Sequence, residues 1–306
     1  IFIYDASNCQ RVQTLDIGDE HHYSRQISLN PFTNELIAIT NYSLASLPYK
    51  AELTAYAYNA TTQNYEKTIQ TPKRLNRYIY DICYNTTRSR MYLTTSGGFV
   101  EIWDANAPYN IVKKISSNIN MARLCYARNP SLNIHEIIAT PYYDYSITQN
   151  NGVIIDGNDD NNYQFISFPF SKCQKTIYHQ EQNKYFFCNR PDENYPTNHS
   201  LSIFNASTHS LISSMTLGGE KEEFTSISIN NYNQTNPSIY ISNTDDLYIF
   251  DAATNTYTTT EYTGCSPQDI ATNENTGECY CSLLRSGSVD IINQSGNIQN
   301  SIFTGF

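Results

Sequence analysis

Cysteines are the residues of this chain with the most obvious chemistry, because paired thiols form disulfides. There are eight of them, an even number, which is typical of an oxidising compartment. Cys173 and Cys188 lie nearly equidistant from the turn of one predicted hairpin, and facing residues of antiparallel strands come within bridging range. We therefore expect a bridge between them. The other candidate pairs are Cys83 with Cys125, and Cys265 with Cys281 or Cys279.

N-glycosylation sequons are the second set of residues with a defined chemistry. Sequons of the N-x-[ST] type with no proline in the middle mark asparagines that accept glycans on the surface of secreted proteins. A chain rich in Asn and Thr produces some by chance, so their placement carries more weight than their number. The predicted acceptors are Asn41, Asn59, Asn85, Asn198, Asn205, Asn233 and Asn293.

Patterns for catalysis or metal binding are few. The run Asp156 to Asp160 spaces its oxygen ligands like the start of a calcium loop, but Asn161 stands where that loop needs glycine. His21 and His22 follow acidic residues, for which a solvated loop is the simpler interpretation. The chain has no H-E-x-x-H, G-x-S-x-G or phosphate-loop motif. We expect no catalytic residue, no metal site and no cofactor, with N-linked glycans as the only added groups.

Composition excludes some classes of partner. The net charge is -10, whereas nucleic-acid binding needs a basic face and anionic membranes attract basic segments. No apolar run approaches the roughly 18 residues that span a bilayer. Apolar residues make up 40% of the chain, enough to form a core. We expect protein or glycan partners, with no nucleic acid and no membrane insertion.

A repeated hairpin positions these residues. A short apolar strand ends in Asp or Asn, which is followed by a small polar turn, and the side chain of that Asp or Asn is suited to bond the backbone two residues on. The motif recurs about every 48 residues, within the range of propeller blades. Its copies begin at Ile3, Ala57, Ile102, Ile154, Ile203, Ile249 and Ile291.

A second kind of hairpin alternates with the first. Examples are residues 78–94, 175–188 and 268–283, which are short β-rich runs bounded by Asn, Gly and Thr. Four strands in each unit of about 40 to 50 residues are typical of a β-propeller blade. The sequence predicts an all-β, seven-bladed propeller of four-stranded antiparallel blades, forming a single domain over residues 1–306.

The repeats resemble the YVTN/NHL-like group of seven-bladed propellers. The resemblance is carried by the Ile-Phe-Asp-Ala-Ala-Thr-Asn hairpin at 249–255 and the Ile-Tyr-Ile-Ser-Asn strand at 239–243. It implies the fold, and a fold shared by many functions does not specify one.

One predicted blade is incomplete, because seven outer hairpins are accompanied by only six inner ones. The hairpin at residues 1–17 lacks its inner partner. Either further residues complete that blade, or another molecule supplies the strands, since an unpaired sheet edge invites strand addition.

Two groups of residues are candidates for partner binding. Long loops at 41–52, 141–152 and 189–200 are rich in tyrosine, which gives large contact area at low entropic cost. Basic residues also begin successive innermost strands, where they either bind an acidic partner or form internal salt bridges. The candidate binding residues are Tyr49, Tyr142, Tyr143, Tyr195, Arg25, Arg77 and Arg123.

These observations favour binding over catalysis. We expect an extracellular protein, secreted or associated with the cell surface, that acts as a structural or adhesive subunit, with self-assembly at the incomplete blade in a filament or surface coat. The alternatives are an enzyme of the propeller hydrolase or lactonase kind with a channel metal ion, and a receptor-type ligand-binding module.

Overall fold

The computed structural model describes residues 2–4, 11–15, 22–42, 50–68, 73–117, 120–141, 151–170, 172–190, 199–217, 223–232, 237–261 and 265–303. Over these residues the chain is all-β and every strand pair is antiparallel. A 3-10 helix, Pro130–Leu132, is the one helical element there. No helix in the described ranges is long and apolar enough to cross a membrane.

The N-terminal strands form a sheet of their own. They are β1 (Phe2–Tyr4) and β2 (Arg11–Thr14). Blade 1 follows, with strands β3 (His22–Leu29), β4 (Glu35–Tyr42), β5 (Lys50–Asn59) and β6 (Asn64–Lys67), and with the short strand β7 (Lys73–Leu75) paired to β5.

Blades 2 to 4 are four-stranded. Blade 2 contains β8 (Ile79–Asn85), β9 (Arg90–Thr95), β10 (Phe99–Asp104) and β11 (Ile111–Ser116). Blade 3 contains β12 (Met121–Asn129), β13 (Ile134–Pro141), β14 (Asn151–Asp156) and β15 (Tyr163–Ser167). Blade 4 contains β16 (Lys172–His179), β17 (Lys184–Arg190), β18 (Ser200–Asn205) and β19 (Leu211–Thr216).

Blades 5 and 6 repeat the arrangement. Blade 5 contains β20 (Ser226–Asn230), β21 (Ser238–Ser242), β22 (Asp246–Asp251) and β23 (Thr256–Glu261). Blade 6 contains β24 (Pro267–Asn273), β25 (Glu278–Leu283), β26 (Ser288–Ile292) and β27 (Ile298–Phe303).

The fold is therefore a β-propeller of four-stranded antiparallel blades, as the repeats predict. The predicted number of blades is wrong: there are six, because β1 and β2 pair only with each other among the described residues. The chain divides into two compact units, one of Ile1–Tyr126 and His135–Ser167, the other of Ala127–Ile134 and Phe168–Phe306.

Burial distinguishes the strands within a blade. The four middle residues of β10, Val100 to Trp103, are all buried, since both faces of this third strand are covered. The outermost strand β11 is mostly exposed. This explains the continuous apolar runs in the sequence, which are typical of strands covered on both faces.

The turn chemistry predicted from the repeat is confirmed in all six blades. The Asp or Asn that ends each third strand accepts the backbone N–H two residues on, at 2.8–3.0 Å from Oδ1. These residues are Asn59, Asp104, Asp156, Asn205, Asp251 and Asn293.

A β-bulge recurs in the innermost strand, which the sequence pattern did not reveal. The register shifts at one extra residue in four blades, namely at Arg25, Tyr80, Gln174 and Gln268. Each bulge moves the residues before it out of alternation with the neighbouring strand. Pairings inferred from equal distances to the turn are therefore wrong by one residue.

Candidate interaction surface

The predicted basic arc is used inside the fold. Arg77 Nη1 lies 3.1 Å from Oε1 of the fully buried Glu101, and its guanidinium lies 4.9 Å from the Phe99 ring centroid. Arg123 Nη1 donates to the Tyr80 carbonyl at 3.2 Å. Arg77 thus forms an internal salt bridge of the kind that one alternative predicted, and Arg123 makes an internal hydrogen bond to the backbone. Arg25 is the bulged residue of β3, and its side chain lies outside the described part.

The predicted tyrosine-rich surface belongs to loops outside the described residues. Tyr49, Tyr142, Tyr143 and Tyr195 lie outside the described residues, so their role stays a prediction. The same holds for the sequons at Asn198 and Asn233 and for the histidine at position 21.

Three described sequons lie at partly exposed turns. Asn59, Asn205 and Asn293 each occupy the repeated outer turn and are neither fully buried nor fully exposed. Their Oδ1 atoms hold the turn, while the glycan-bearing atom of a sequon is Nδ2. These positions remain compatible with glycan attachment.

Two other sequons are buried, and the expectation of glycans there is corrected. Asn41 Nδ2 donates to the Ile79 carbonyl at 2.9 Å, and Asn85 Nδ2 donates to the Gly157 carbonyl at 2.6 Å. Asn41 is 3% exposed and Asn85 is completely buried. A glycan on either Nδ2 would remove a hydrogen bond and require space that the fold fills.

Asn85 belongs to a repeated inter-blade contact that our sequence reasoning missed. Asn30 Nδ2 donates to the Ala105 carbonyl at 2.6 Å, and Asn230 Nδ2 donates to the Gly277 carbonyl at 2.8 Å, each in the following blade. The Oδ1 atom of each asparagine accepts the backbone N–H two residues on. An Asn at the start of five of the six inner turns was the signal available in the sequence.

The calcium-like run is an ordinary turn that docks on blade 2. Asp156 and Asp159 accept backbone N–H groups within the turn at 2.8 and 2.9 Å. Asp160 is buried, with Arg88 at 3.4 Å, Arg90 at 3.3 Å and the Tyr92 hydroxyl donating at 2.7 Å. Its carboxylate is thus neutralised by protein groups.

The outer turn of blade 2 docks on blade 1 through a buried acid. The Tyr109 hydroxyl donates to Glu35 Oε2, and Thr33 Oγ1 donates to the same atom at 2.8 Å. Burial opposes ionisation of Glu35, but hydrogen bonds from Thr68, Tyr109 and Thr33 outweigh it and lower the Glu35 pKa below its ordinary value. Burial, followed by the bond to Glu35, raises the pKa of Tyr109 to about 12.

The predicted disulfides are not supported by the described residues. None of the seven cysteines described there belongs to a disulfide, namely Cys83, Cys125, Cys173, Cys188, Cys265, Cys279 and Cys281. The bulge at Gln174 places Cys188 opposite Lys175, while Cys173 faces Asn189. Burial raises the pKa of Cys188 and Cys83 well above the ordinary value, and that of Cys281 to about 12. Few thiolates are therefore available to start disulfide exchange.

Among the described residues, one side of blade 1 carries three half-exposed apolar side chains. Ile27 and Leu29 on β3 and Tyr58 on β5 are 45%, 56% and 54% exposed. Leu29 lies opposite Leu36, and Leu36 lies opposite Tyr56, so these side chains share one side of blade 1. We call Ile27, Leu29 and Tyr58 the open face of blade 1.

The exposure of Tyr58 is exceptional among the repeats. Tyr58 directly precedes the Asp or Asn of the outer turn, and the residues at that position in the other five blades are at most 4% exposed. They are Trp103, Ile155, Phe204, Phe250 and Ile292. Ala60 differs in the same way, since it is exposed whereas Ala105, Ala206 and Ala252 are buried.

The β1–β2 sheet covers only the outer part of this side of blade 1. Ile3 and Leu15 pack with Tyr56, Ala38 and Leu36. The Gln13 side chain fixes this position by two hydrogen bonds to the backbone of Tyr65, one donated at 2.8 Å and one accepted at 2.7 Å. The inner part, where Ile27 and Leu29 lie, remains exposed.

No group of three or more His, Cys, Asp or Glu side chains that could hold a metal ion occurs within the described ranges.

Comparisons with known proteins identify the fold and no family. No protein-family model matches the chain, and no curated protein matches it. The resemblance to the YVTN/NHL-like group is therefore not confirmed. Among solved structures, a chain of "Crystal Structure of Mitotic Checkpoint Complex" is similar over 99% of this chain and 89% of its own length, with a TM-score of 0.61 and 11% identity. At that identity the likeness shows a shared β-propeller fold alone.

Proposed function

We propose that this chain is a protein-interaction module that acts by binding rather than by catalysis. The open face of blade 1 carries the proposal. Three large apolar side chains, each about half exposed, share one side of blade 1, and the position that Tyr58 occupies is buried in the other five blades. Clustered exposed apolar residues mark interaction sites more often than scattered ones do. A propeller in a solved multiprotein complex shares the fold, which is consistent with this use.

We further propose that the module is extracellular, as a secreted or cell-surface structural or adhesive subunit that binds proteins or glycans. The support is the position of Asn59, Asn205 and Asn293, which repeat at partly exposed outer turns. The tyrosine-rich loops would add to the binding surface.

Photo-crosslinking tests the interaction proposal. A photoreactive amino acid replaces Leu29 in the chain produced in its native cells, and a matched chain carries it at Tyr257, which is 43% exposed on the outermost strand of blade 5. We expect a defined protein adduct from position 29 and none from position 257. Absence of any adduct at position 29, with the chain folded, would contradict the proposal.

Glycan mapping tests the extracellular proposal. The chain is passed through a eukaryotic secretory pathway, and its peptides are analysed by mass spectrometry before and after glycosidase treatment. We expect glycans at Asn59, Asn205 and Asn293, and none at Asn41 and Asn85, whose amides are buried. A chain retained in the cell without glycans would disprove the extracellular assignment and leave the interaction proposal standing.

A further inference from the structure

We propose that the open face of blade 1 and the edge of β1 that is unpaired among the described residues together form the docking site of a two-stranded β-hairpin with alternating apolar residues. This inference rests on the proposed function and specifies the kind of partner. Three features of the described residues support it: the unpaired edge of β1, the exposed apolar side chains of blade 1 and the exposed outer turn at Ala60.

The edge of β1 is the first feature, and it favours binding of a further strand. β1 carries the same motif as the third strand of each blade, and in blade 2 that strand, β10, pairs with β11 on one side and β9 on the other. Among the described residues β1 pairs with β2 alone. No described strand pairs with the backbone N–H and C=O groups of its other edge, and an extended chain can satisfy such groups by strand addition.

The open face of blade 1 is the second feature, and it favours a hairpin in which every second residue is apolar. Between blades 1 and 2, the inner hairpin β3–β4 supplies Ile37 and Ile39, which pack with Ile79 and Ile82 of blade 2. An incoming hairpin paired to β1 would pack against blade 1 as the β3–β4 hairpin packs against blade 2. Its apolar residues would cover Ile27, Leu29 and Tyr58.

The outer turn of blade 1 specifies the turn of the hairpin. In three blade pairs a side chain from one blade donates to a backbone carbonyl in the outer turn of the next: Asn30 to Ala105, Asn85 to Gly157 and Lys184 to Ala252. Ala60 is the equivalent of Ala105 and is exposed. The docked hairpin is thus expected to carry Asn or Lys at its turn, placed to bond the Ala60 carbonyl.

A synthetic hairpin provides the test. The probe is the peptide of residues 26–41 of this chain, which contains Asn30, Ile37 and Ile39 in one inner hairpin, added to the purified chain and followed by fluorescence anisotropy. We expect saturable binding that Tyr58→Asp weakens at least tenfold and Tyr257→Asp leaves unchanged. A peptide with Ile37→Asp and Ile39→Asp is the matched control and should not bind. Circular dichroism confirms that each chain variant is folded.

Hydrogen exchange tests the strand pairing. Binding of the hairpin should slow amide exchange at residues 2–4. The proposal is overturned if the peptide does not saturate, if the control peptide binds equally well, or if residues 2–4 exchange at an unchanged rate. Self-association of the chain that Tyr58→Asp abolishes, without peptide binding, would show a second copy on this face. That result would reject the hairpin and retain the interaction function.

Discussion

At the scale of single residues, polar side chains at strand ends hold neighbouring blades together. Asn85 contributes both ends of its amide, since Oδ1 accepts the Thr87 N–H at 3.0 Å and Nδ2 donates to Gly157 at 2.6 Å. The same residue type therefore both shapes a turn and fastens it to the next blade. Such buried polar groups matter for stability mainly because a group that loses its partner remains buried without a hydrogen bond.

Asn85→Ala tests this contact. The substitution leaves the buried Gly157 carbonyl without a donor, so we expect the free energy of unfolding to fall by about 1–3 kcal/mol in chemical denaturation. Asn59→Ala is the control, because its turn is partly exposed and solvent replaces the lost bonds; its effect should be clearly smaller. Equal losses for the two variants would contradict the assigned role of Asn85.

His179 occupies the position that asparagine holds in the other five blades. Its ring is fully buried, and Nδ1 accepts the Gln182 N–H at 3.3 Å. Burial lowers the pKa of His179 below its ordinary value, and Glu181, with Oε2 3.4 Å from Nδ1, opposes this only in part. The folded protein therefore favours the neutral form of this histidine.

The stability of the fold should consequently decrease in mild acid. Below a pH of about 6.5 the unfolded chain binds the proton before the folded chain does, so stability is lost as the pH falls towards the lowered pKa, by at most about 1.4 kcal/mol per pH unit. His179→Asn restores the residue of the other blades and should flatten this part of the profile. Denaturation from pH 7.5 to 5 measures it, and an unchanged slope in the variant would refute the assignment.

At the scale of the element, the outer turn of blade 3 is held by a buried charge cluster. Asp160 lies against two arginines of blade 2, and Lys113 Nζ donates to its backbone carbonyl at 2.8 Å. The turn thus combines local hydrogen bonds with an ion pair across the blade contact.

Asp160→Asn should lower the free energy of unfolding substantially, and Asp159→Asn should leave it nearly unchanged. The first leaves Arg88 and Arg90 beside an uncharged group, for which we expect a loss of about 3 kcal/mol in unfolding free energy. The second keeps the Oδ1 atom that accepts the Asn161 N–H at 2.9 Å. Thermal unfolding of the two variants measures the difference, and a neutral Asp160→Asn would show that the cluster adds no stability.

At the scale of the whole molecule, the redox state follows from the burial of the thiols. Because the described cysteines are unbridged and mostly buried, we expect all seven to react with iodoacetamide after unfolding without reductant, and the buried ones to react slowly in the native chain. Peptide mapping gives the count. A peptide linking Cys173 to Cys188 would reject the unbridged state.

The sequence by itself determined the repeated strands and their turns. An Asp or Asn that bonds the backbone two residues on is a local interaction, so the outer turns at Asn59 to Asn293 could be predicted residue by residue. The alternation of hairpins likewise predicted four-stranded blades. The chemistry of these elements is contained within a few neighbouring positions.

Only the tertiary structure decided which residues are buried and which strands lack partners. Asn85 and Gly157 are 72 positions apart, so no local pattern shows that this sequon is enclosed. The bulge at Gln174 separates Cys173 from Cys188 by a shift that composition does not encode. Tyr58 stands at the same position of the motif as Trp103, yet it is 54% exposed whereas Trp103 is 2% exposed. Burial and pairing are properties of neighbours brought together by the fold, and they changed a predicted seventh blade into six blades with one open face.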